Sequence, residues 1–247
     1  IMAYSTIVKP SVYFNTKLYS GNGTAIGSGG QAITGVGFQP DFTWIKERSS
    51  TSPHKLLDAV RGVTKELESN LTNAESTQAE SLASFDSDGF TVGSNGAVNE
   101  NSQTYASWNW KANGQGSSNT DGSINTTYTS VNSTAGFSIS KYTGTGANAT
   151  VGHGLGAVPK MIIFKELGGT NGWHVYHEFL GNNKVTLLDN VTQGYYNPNS
   201  FLNTTDPTSS LIYLGDSAGS NSTNGMIAYC FAEKTGYSKI SSYTGNG

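Results

Sequence analysis

Pro40-Asp41-Phe42-Thr43-Trp44-Ile45-Lys46-Glu47 and Pro159-Lys160-Met161-Ile162-Ile163-Phe164-Lys165-Glu166 align at an offset of 119 residues, and the offset runs without a gap to Gly62 and Gly181. Each stretch is a proline followed by a short run of β-branched, aromatic and aliphatic residues that ends in Lys-Glu, the pattern of a buried strand. Upstream, Tyr19-Ser20-Gly21-Asn22-Gly23 matches Tyr142-Thr143-Gly144-Thr145-Gly146 at an offset of 123. Downstream, Gly93 matches Gly215 at 122, so small loop insertions separate the landmarks. An aromatic strand closes each copy, Tyr105-Ala106-Ser107-Trp108-Asn109-Trp110 against Ile227-Ala228-Tyr229-Cys230-Phe231. The chain is an internal duplication with units of about 95 residues.

A third copy of the opening, Tyr243-Thr244-Gly245-Asn246-Gly247, either begins a further unit or closes the second one; the first is expected. The segment 114–135 is poor in sizeable apolar residues and reads as a polar linker or an exposed edge segment. The organisation expected is therefore 1–113 for an N-terminal segment and first repeat, 114–135 for the linker, and 136–247 for the second repeat. Gly 31, Ser 31, Thr 28 and Asn 23 supply nearly half of the 247 residues, which is turn chemistry. Turn signals at short spacing predict an all-β fold of two tandem antiparallel β-sandwich or jelly-roll repeats. The one helical candidate, Thr64 to Leu82, carries only partial helical spacing and reads as a long polar loop.

Charge and cysteine content narrow the function. Fourteen basic against seventeen acidic residues, with no basic cluster, leave no footprint for nucleic acid. No apolar run approaches the roughly 20 residues of a membrane span, and the opening lacks a secretory pattern, so a soluble chain with no membrane insertion is expected. The single cysteine, Cys230, permits no internal disulfide and suits a reducing compartment.

The opening Met2-Ala3-Tyr4-Ser5-Thr6-Ile7, the run Tyr13 to Gly23, and Gly35-Val36-Gly37-Phe38-Gln39-Pro40-Asp41-Phe42 carry a resemblance, as do Val60-Arg61-Gly62-Val63 and Ser84-Phe85-Asp86-Ser87-Asp88-Gly89-Phe90. Together they resemble a repeat domain of uncharacterised structural proteins, tail-fibre-like among them, of marine bacteriophages. The resemblance covers essentially the whole chain and implies concanavalin-like jelly rolls in a virion protein, assembled in the host cytoplasm. It implies no catalytic residue. Asp58 aligns with His177 and Arg61 with Leu180, so a polar site in unit one is not repeated in unit two.

The expected role is host-surface attachment through glycans, without enzymatic activity or cofactor. Other virion proteins and further copies of the chain are the expected partners. Capsid decoration or a fibre-shaft module is the alternative, and a polysaccharide depolymerase the third. Aromatic rings stack on sugars while Asn, Ser and Thr meet hydroxyls, so Trp173, Tyr176, Tyr195 and Tyr196, beside Gly- and Asn-rich turns, are the candidate ligand-binding residues. Trp44, Trp108 and Trp110 are expected to pack in the core or on a sheet face. His174 and His177, three apart in a strand, point to opposite faces, so with His153 they do not make a metal site. Asp86-Ser87-Asp88-Gly89 reads as a capped turn. Glu66, Glu68, Glu75, Glu80, Asp86 and Asp88 are the acids a glycosidase would draw on, and nothing in their order pairs them.

Overall fold

The computed structural model describes residue 5, residues 7–189 and 200–246, and the backbone of 195–196. Unit one contributes β1 (Phe14–Ser20), β2 (Gln31–Thr34), β3 (Phe42–Glu47), β4 (Lys55–Asp58), β5 (Lys65–Glu66), β6 (Ser76–Thr77), β7 (Leu82–Asp86), β8 (Gly89–Val92), α1 (Gly96–Asn99) and β9 (Thr104–Trp110). Unit two contributes β10 (Tyr128–Asn132), β11 (Phe137–Tyr142), β12 (Ala149–Gly152), β13 (Met161–Glu166), β14 (His174–His177), β15 (Lys184–Leu187), β16 (Tyr195–Tyr196), β17 (Leu211–Leu214), α2 (Ala218–Asn221) and β18 (Met226–Phe231). The fold is all-β and its named strands pair antiparallel. No helix among the described residues is long and apolar enough to cross a membrane.

The duplication is written into strand pairing. Sheet order β1-β9-β3-β4 in unit one recurs as β11-β18-β13-β14 in unit two. The registers coincide: Phe42 pairs with Trp110 and Asp58, and its counterpart Met161 with Phe231 and His177. The recurring Tyr-x-Gly-x-Gly has a physical cause. The Tyr19 hydroxyl donates to the Val98 carbonyl at 2.8 Å and Tyr142 to Ser220 at 2.5 Å, pinning the first strand to the short helix in each copy. The glycine two residues on lies against that helix's exit: a Cβ on Gly21 would sit 2.3 Å from the Glu100 carbonyl oxygen, and one on Gly144 2.3 Å from the Asn221 carbonyl carbon. Asn99 and Asn221 then accept the backbone N–H of Asn22 and Thr145, both at 2.8 Å.

The sheets stack in layers, because each apolar face must be covered. The three-stranded sheet β2-β8-β7 closes over the inner face of β1-β9-β3-β4, with Ile33, Phe90, Val92, Ile45, Leu57 and Tyr105 between them. In unit two, β12 and β17 lie over the inner face of the larger sheet, enclosing Val151, Ile212, Leu214, Phe164, Tyr142 and Cys230. The outer faces of the two large sheets meet in a third core, the seam, where Phe42, Leu56 and Leu67 pack with Phe137, Ile139, Trp173 and Tyr229. Phe42 stacks on Tyr229 with ring centres 4.6 Å apart. Trp110 reaches Phe137 and Phe231 at 6.2 and 6.4 Å.

Polar groups lock the seam. Asp58, fully buried, accepts from Arg61 Nε at 2.6 Å and from the Tyr229 hydroxyl across the seam at 2.7 Å. Burial opposes the Arg61 cation, but the charges of Asp58, Tyr229 and Glu75 and the Asp58 hydrogen bond outweigh it and raise its pKa above the ordinary range. Lys165 Nζ donates to the carbonyls of Thr72 in unit one and Glu166, Gly169 and Asn171 in unit two. Burial brings that ammonium's pKa down to about 8.

Three segments gain detail. The segment 114–135 is no free linker: Ser117 bridges Thr129, Ile124 bridges Val151, and β10 pairs with β11 as the edge of the seven-stranded sheet. Ile124 and Val131 find cover on unit two and Thr129 and Ser130 are buried, which composition did not reveal. Residues 64–82 hold β5, β6 and loops that reach across to unit two, while the helices, α1 and α2, are single turns capped by Asn95 and Ser217. The third opening motif adds no strand, and Tyr243 is 93% exposed.

Candidate functional site

Side chains alternate along a strand, so Trp108 and Trp110 on β9 share the outer face with Trp44 and Lys46 on β3 and Thr16 and Leu18 on β1. Trp44 and Thr16 both pair with Trp108, and Lys46 and Leu18 both pair with Ala106. Unit two covers this face at Phe42 and Leu56, with Trp44 and Trp110 packed at the margin of the seam. Beyond that margin Trp44, Trp108 and Trp110, with His54 just before β4, line an open concavity of about 260 Å³.

Its walls are fixed. Trp44 Nε1 donates to His54 Nδ1 at 2.9 Å, with the rings meeting edge-on at 79°. Indole N–H only donates, so Nδ1 accepts and the neutral imidazole carries its proton on Nε2. Burial, then the charge of Lys46, lowers the His54 pKa, which keeps the ring neutral near pH 7. The His54 N–H donates to Asn70 Oδ1 at 3.0 Å, tying this wall to the loop after β5. Trp110 is clamped by Phe14 and Phe42 at 4.8 and 5.0 Å, so the floor is rigid. The arrangement suits a flat apolar ring face bordered by hydroxyls.

The duplicated face of unit two lies inside the seam. Where unit one has Thr16, Trp44, Arg48, His54, Ala106 and Trp108, unit two has Ile139, Ile163, Leu167, Trp173, Ile227 and Tyr229, all buried. Ile139, Leu167 and Ile227 of the covered copy thus give way to Thr16, Arg48 and Ala106 in the open one. Phe42 meets Tyr229, while the positions of the reciprocal pair diverge: Met161 borders a crevice of about 200 Å³ at the seam and Trp108 borders the open groove. The contact is heterologous: unit two buries most of its copy of the face in the seam and unit one only part of its own.

The structure moves the aromatic site expected from the sequence. Trp173 is 0% exposed, with Nε1 donating to the carbonyls of Glu68 and Leu71, and Tyr176 is 2% exposed within the unit-two core. Neither ring can meet a ligand from solvent: unit one covers Trp173, and β12 and β17 cover the core that holds Tyr176. Tyr195 and Tyr196 form β16, paired with Val185 and Lys184; their side chains lie outside the described residues. The half-buried tryptophans pack on the sheet face as expected, Trp44 and Trp110 against the seam, and also border the groove. The signal was present in Trp108-Asn109-Trp110, a period-two pair, and in the polar substitutions at the 119 offset.

Other candidates are committed to structure. His153 is buried with Nε2 3.1 Å from the Thr208 carbonyl, and His174 Nδ1 lies 2.9 Å from the Gly172 carbonyl. No group of three metal-ligating side chains occurs among the described residues. Asp88 accepts from the N–H of Gly35 and Gly37, and Asp86 from Ser84 and Thr91, across the β7–β8 hairpin. Glu66 and Glu68 hold Lys55, Glu75 meets Arg61, and Glu80 accepts from Ile26 and Ser94.

A family model described as a domain of unknown function (DUF7483) matches residues 9–247. No curated protein and no solved structure matches the chain.

Proposed function

The chain belongs to the DUF7483 family, and we propose that it is a non-catalytic attachment module whose Trp44–His54–Trp108 groove stacks on the apolar face of a sugar ring. The observation that carries this reading is the open aromatic groove on a face whose duplicate is buried under aliphatic and aromatic side chains. Aromatic walls supply contact area at small entropic cost, and the His54 imidazole, Thr16 and Asn70 offer hydrogen bonds without a buried charge. We place the module on a bacteriophage particle, as part of a tail fibre whose receptor is a host-surface glycan, on the strength of the resemblance of its repeats to virion proteins. Each unit is read as a concanavalin-like jelly-roll sandwich, and several copies on one particle would turn weak single contacts into avidity.

A fibre-shaft or capsid-decoration role is the second reading. It draws on the heterologous seam, a geometry that can repeat along an axis, and on β1 and β10 as sheet edges.

Labelled antibody against the purified chain, viewed on intact particles by electron microscopy, separates the two. Label at a tail tip together with blocked adsorption, relieved by Trp44→Ala/Trp108→Ala in a competing soluble chain, is expected. Label spread over the capsid would leave decoration as the role, and an unlabelled particle would remove the virion assignment.

A further inference from the structure

We infer that the groove takes a carboxylate-bearing sugar, a uronic acid, with Lys46 and Arg48 seating the acid group. The inference rests on the sugar-stacking reading of the same groove and names its ligand class. Lys46 follows Trp44 by two residues on β3 and so shares its face, and Arg48, exposed, continues the same alternation. The Lys46 ammonium has three donors, of which two are used, on the carbonyls of Glu47 at 2.6 Å and Ser50 at 3.0 Å. Neither Lys46 nor Arg48 forms an ion pair among the described residues.

Acidic groups are turned away from this end of the face. Glu47 points to the inner side of the sheet by strand alternation, and Glu68 is held by Lys55 and Asn73. In the covered copy the same two positions carry no spare charge: Lys165 is saturated by four carbonyls, and Leu167 stands where unit one has Arg48. At these two positions, unspent cationic donors therefore occur on the copy of the face that meets solvent and not on the covered one. A pyranose with a ring carboxylate would lay its ring on the indoles that line the groove and turn its planar acid toward the ammonium and guanidinium that follow Trp44 along the same face.

Calorimetric titration of the intact chain with tetragalacturonate and with maltotetraose, at low and high salt, tests this. The uronate should bind about tenfold tighter at low salt, and the gap should close in Lys46→Met/Arg48→Met and narrow as salt rises. Arg48→Met alone, an exposed change that spares the fold, should remove part of the gap. Equal affinity for the two oligomers, or a gap that survives the double substitution, overturns the acidic-sugar inference and leaves the stacking reading standing. Failure of both oligomers to bind, or binding untouched by Trp108→Ala, overturns the stacking reading and the inference with it.

Discussion

Asp58→Ala is the substitution from which the seam should suffer most for the fewest atoms removed. The carboxylate accepts from Arg61 Nε at 2.6 Å, the Arg61 N–H at 2.8 Å and the Tyr229 hydroxyl at 2.7 Å, and the side chains of Asp58 and Arg61 are wholly inaccessible. Deleting it leaves the guanidinium with the Leu56 carbonyl at 2.8 Å and a longer approach to Glu75 at 3.3 Å. Breaking a buried pair from one side costs about 3–5 kcal/mol. At roughly 2–4 °C per kcal/mol for a chain of this size, Tm should fall by about 6–20 °C. Tyr229→Phe removes one hydrogen bond to a charged acceptor and should cost about 1.5–3 kcal/mol alone. In the Asp58→Ala background that bond is already absent, so its added cost should be near zero and the coupling should equal the single-mutant value. Urea unfolding followed by tryptophan fluorescence and circular dichroism measures all four corners of the cycle. Additive costs, or an Asp58→Ala penalty below about 1 kcal/mol, would refute the view that this triad clamps the two units.

Trp173→Ala should cost about 3–5 kcal/mol in the same assay, since it empties the seam and strips the Glu68 and Leu71 carbonyls of their donor; a loss under 1 kcal/mol would contradict its burial. Glu47 and Glu166 occupy equivalent buried positions, yet Glu47 has no partner for either oxygen among the described residues while Glu166 accepts from Asn171, Ser222 and Asn224. Glu47→Gln should therefore be neutral or stabilising and Glu166→Gln destabilising by about 1–3 kcal/mol, an order that a reversed pair of urea midpoints would disprove. Gly89→Ala places a Cβ 1.9 Å from the Ile33 carbonyl oxygen at φ +147°, so at least about 1 kcal/mol should be lost; an unchanged midpoint would show that the hairpin can shift. Burial first, with Lys46 adding at His54, depresses the pKa of His54, His153 and His174 below 6.5. The unfolded chain then takes up protons first as pH falls, so stability is lost below about pH 6.5, and a urea midpoint flat between about pH 7 and pH 5.5 would count against neutral buried rings.

What the sequence made legible was whatever repeats or obeys local rules. The 119 offset located β3 and β13, and the period-two character of their neighbours placed strands correctly, because strand burial alternates regardless of what lies beyond the sheet. The Asp86–Gly89 turn announced the β7–β8 hairpin through its own glycine. The seam was not legible, since nothing local distinguishes a face that meets solvent from one that meets another sheet. Trp173 and His54 hold the same place in their copies, and only the packing of unit one over unit two decides that the first is buried and the second borders a groove. The single turns α1 and α2 escaped because four residues carry no period, and the strand in 114–135 because its buried side chains are Thr129 and Ser130, residue types that elsewhere mark loops.

Lys165 gives the seam a chemical clock. Burial holds this amine's pKa down to about 8 while the sheets are closed, and exposure returns it toward the ordinary lysine range. Its four carbonyl partners, one of them from unit one, seal it from any reagent while the sheets are closed. Acylation of this one side chain must wait for the units to part, so the rate at which it appears in a peptide digest counts how often the molecule opens.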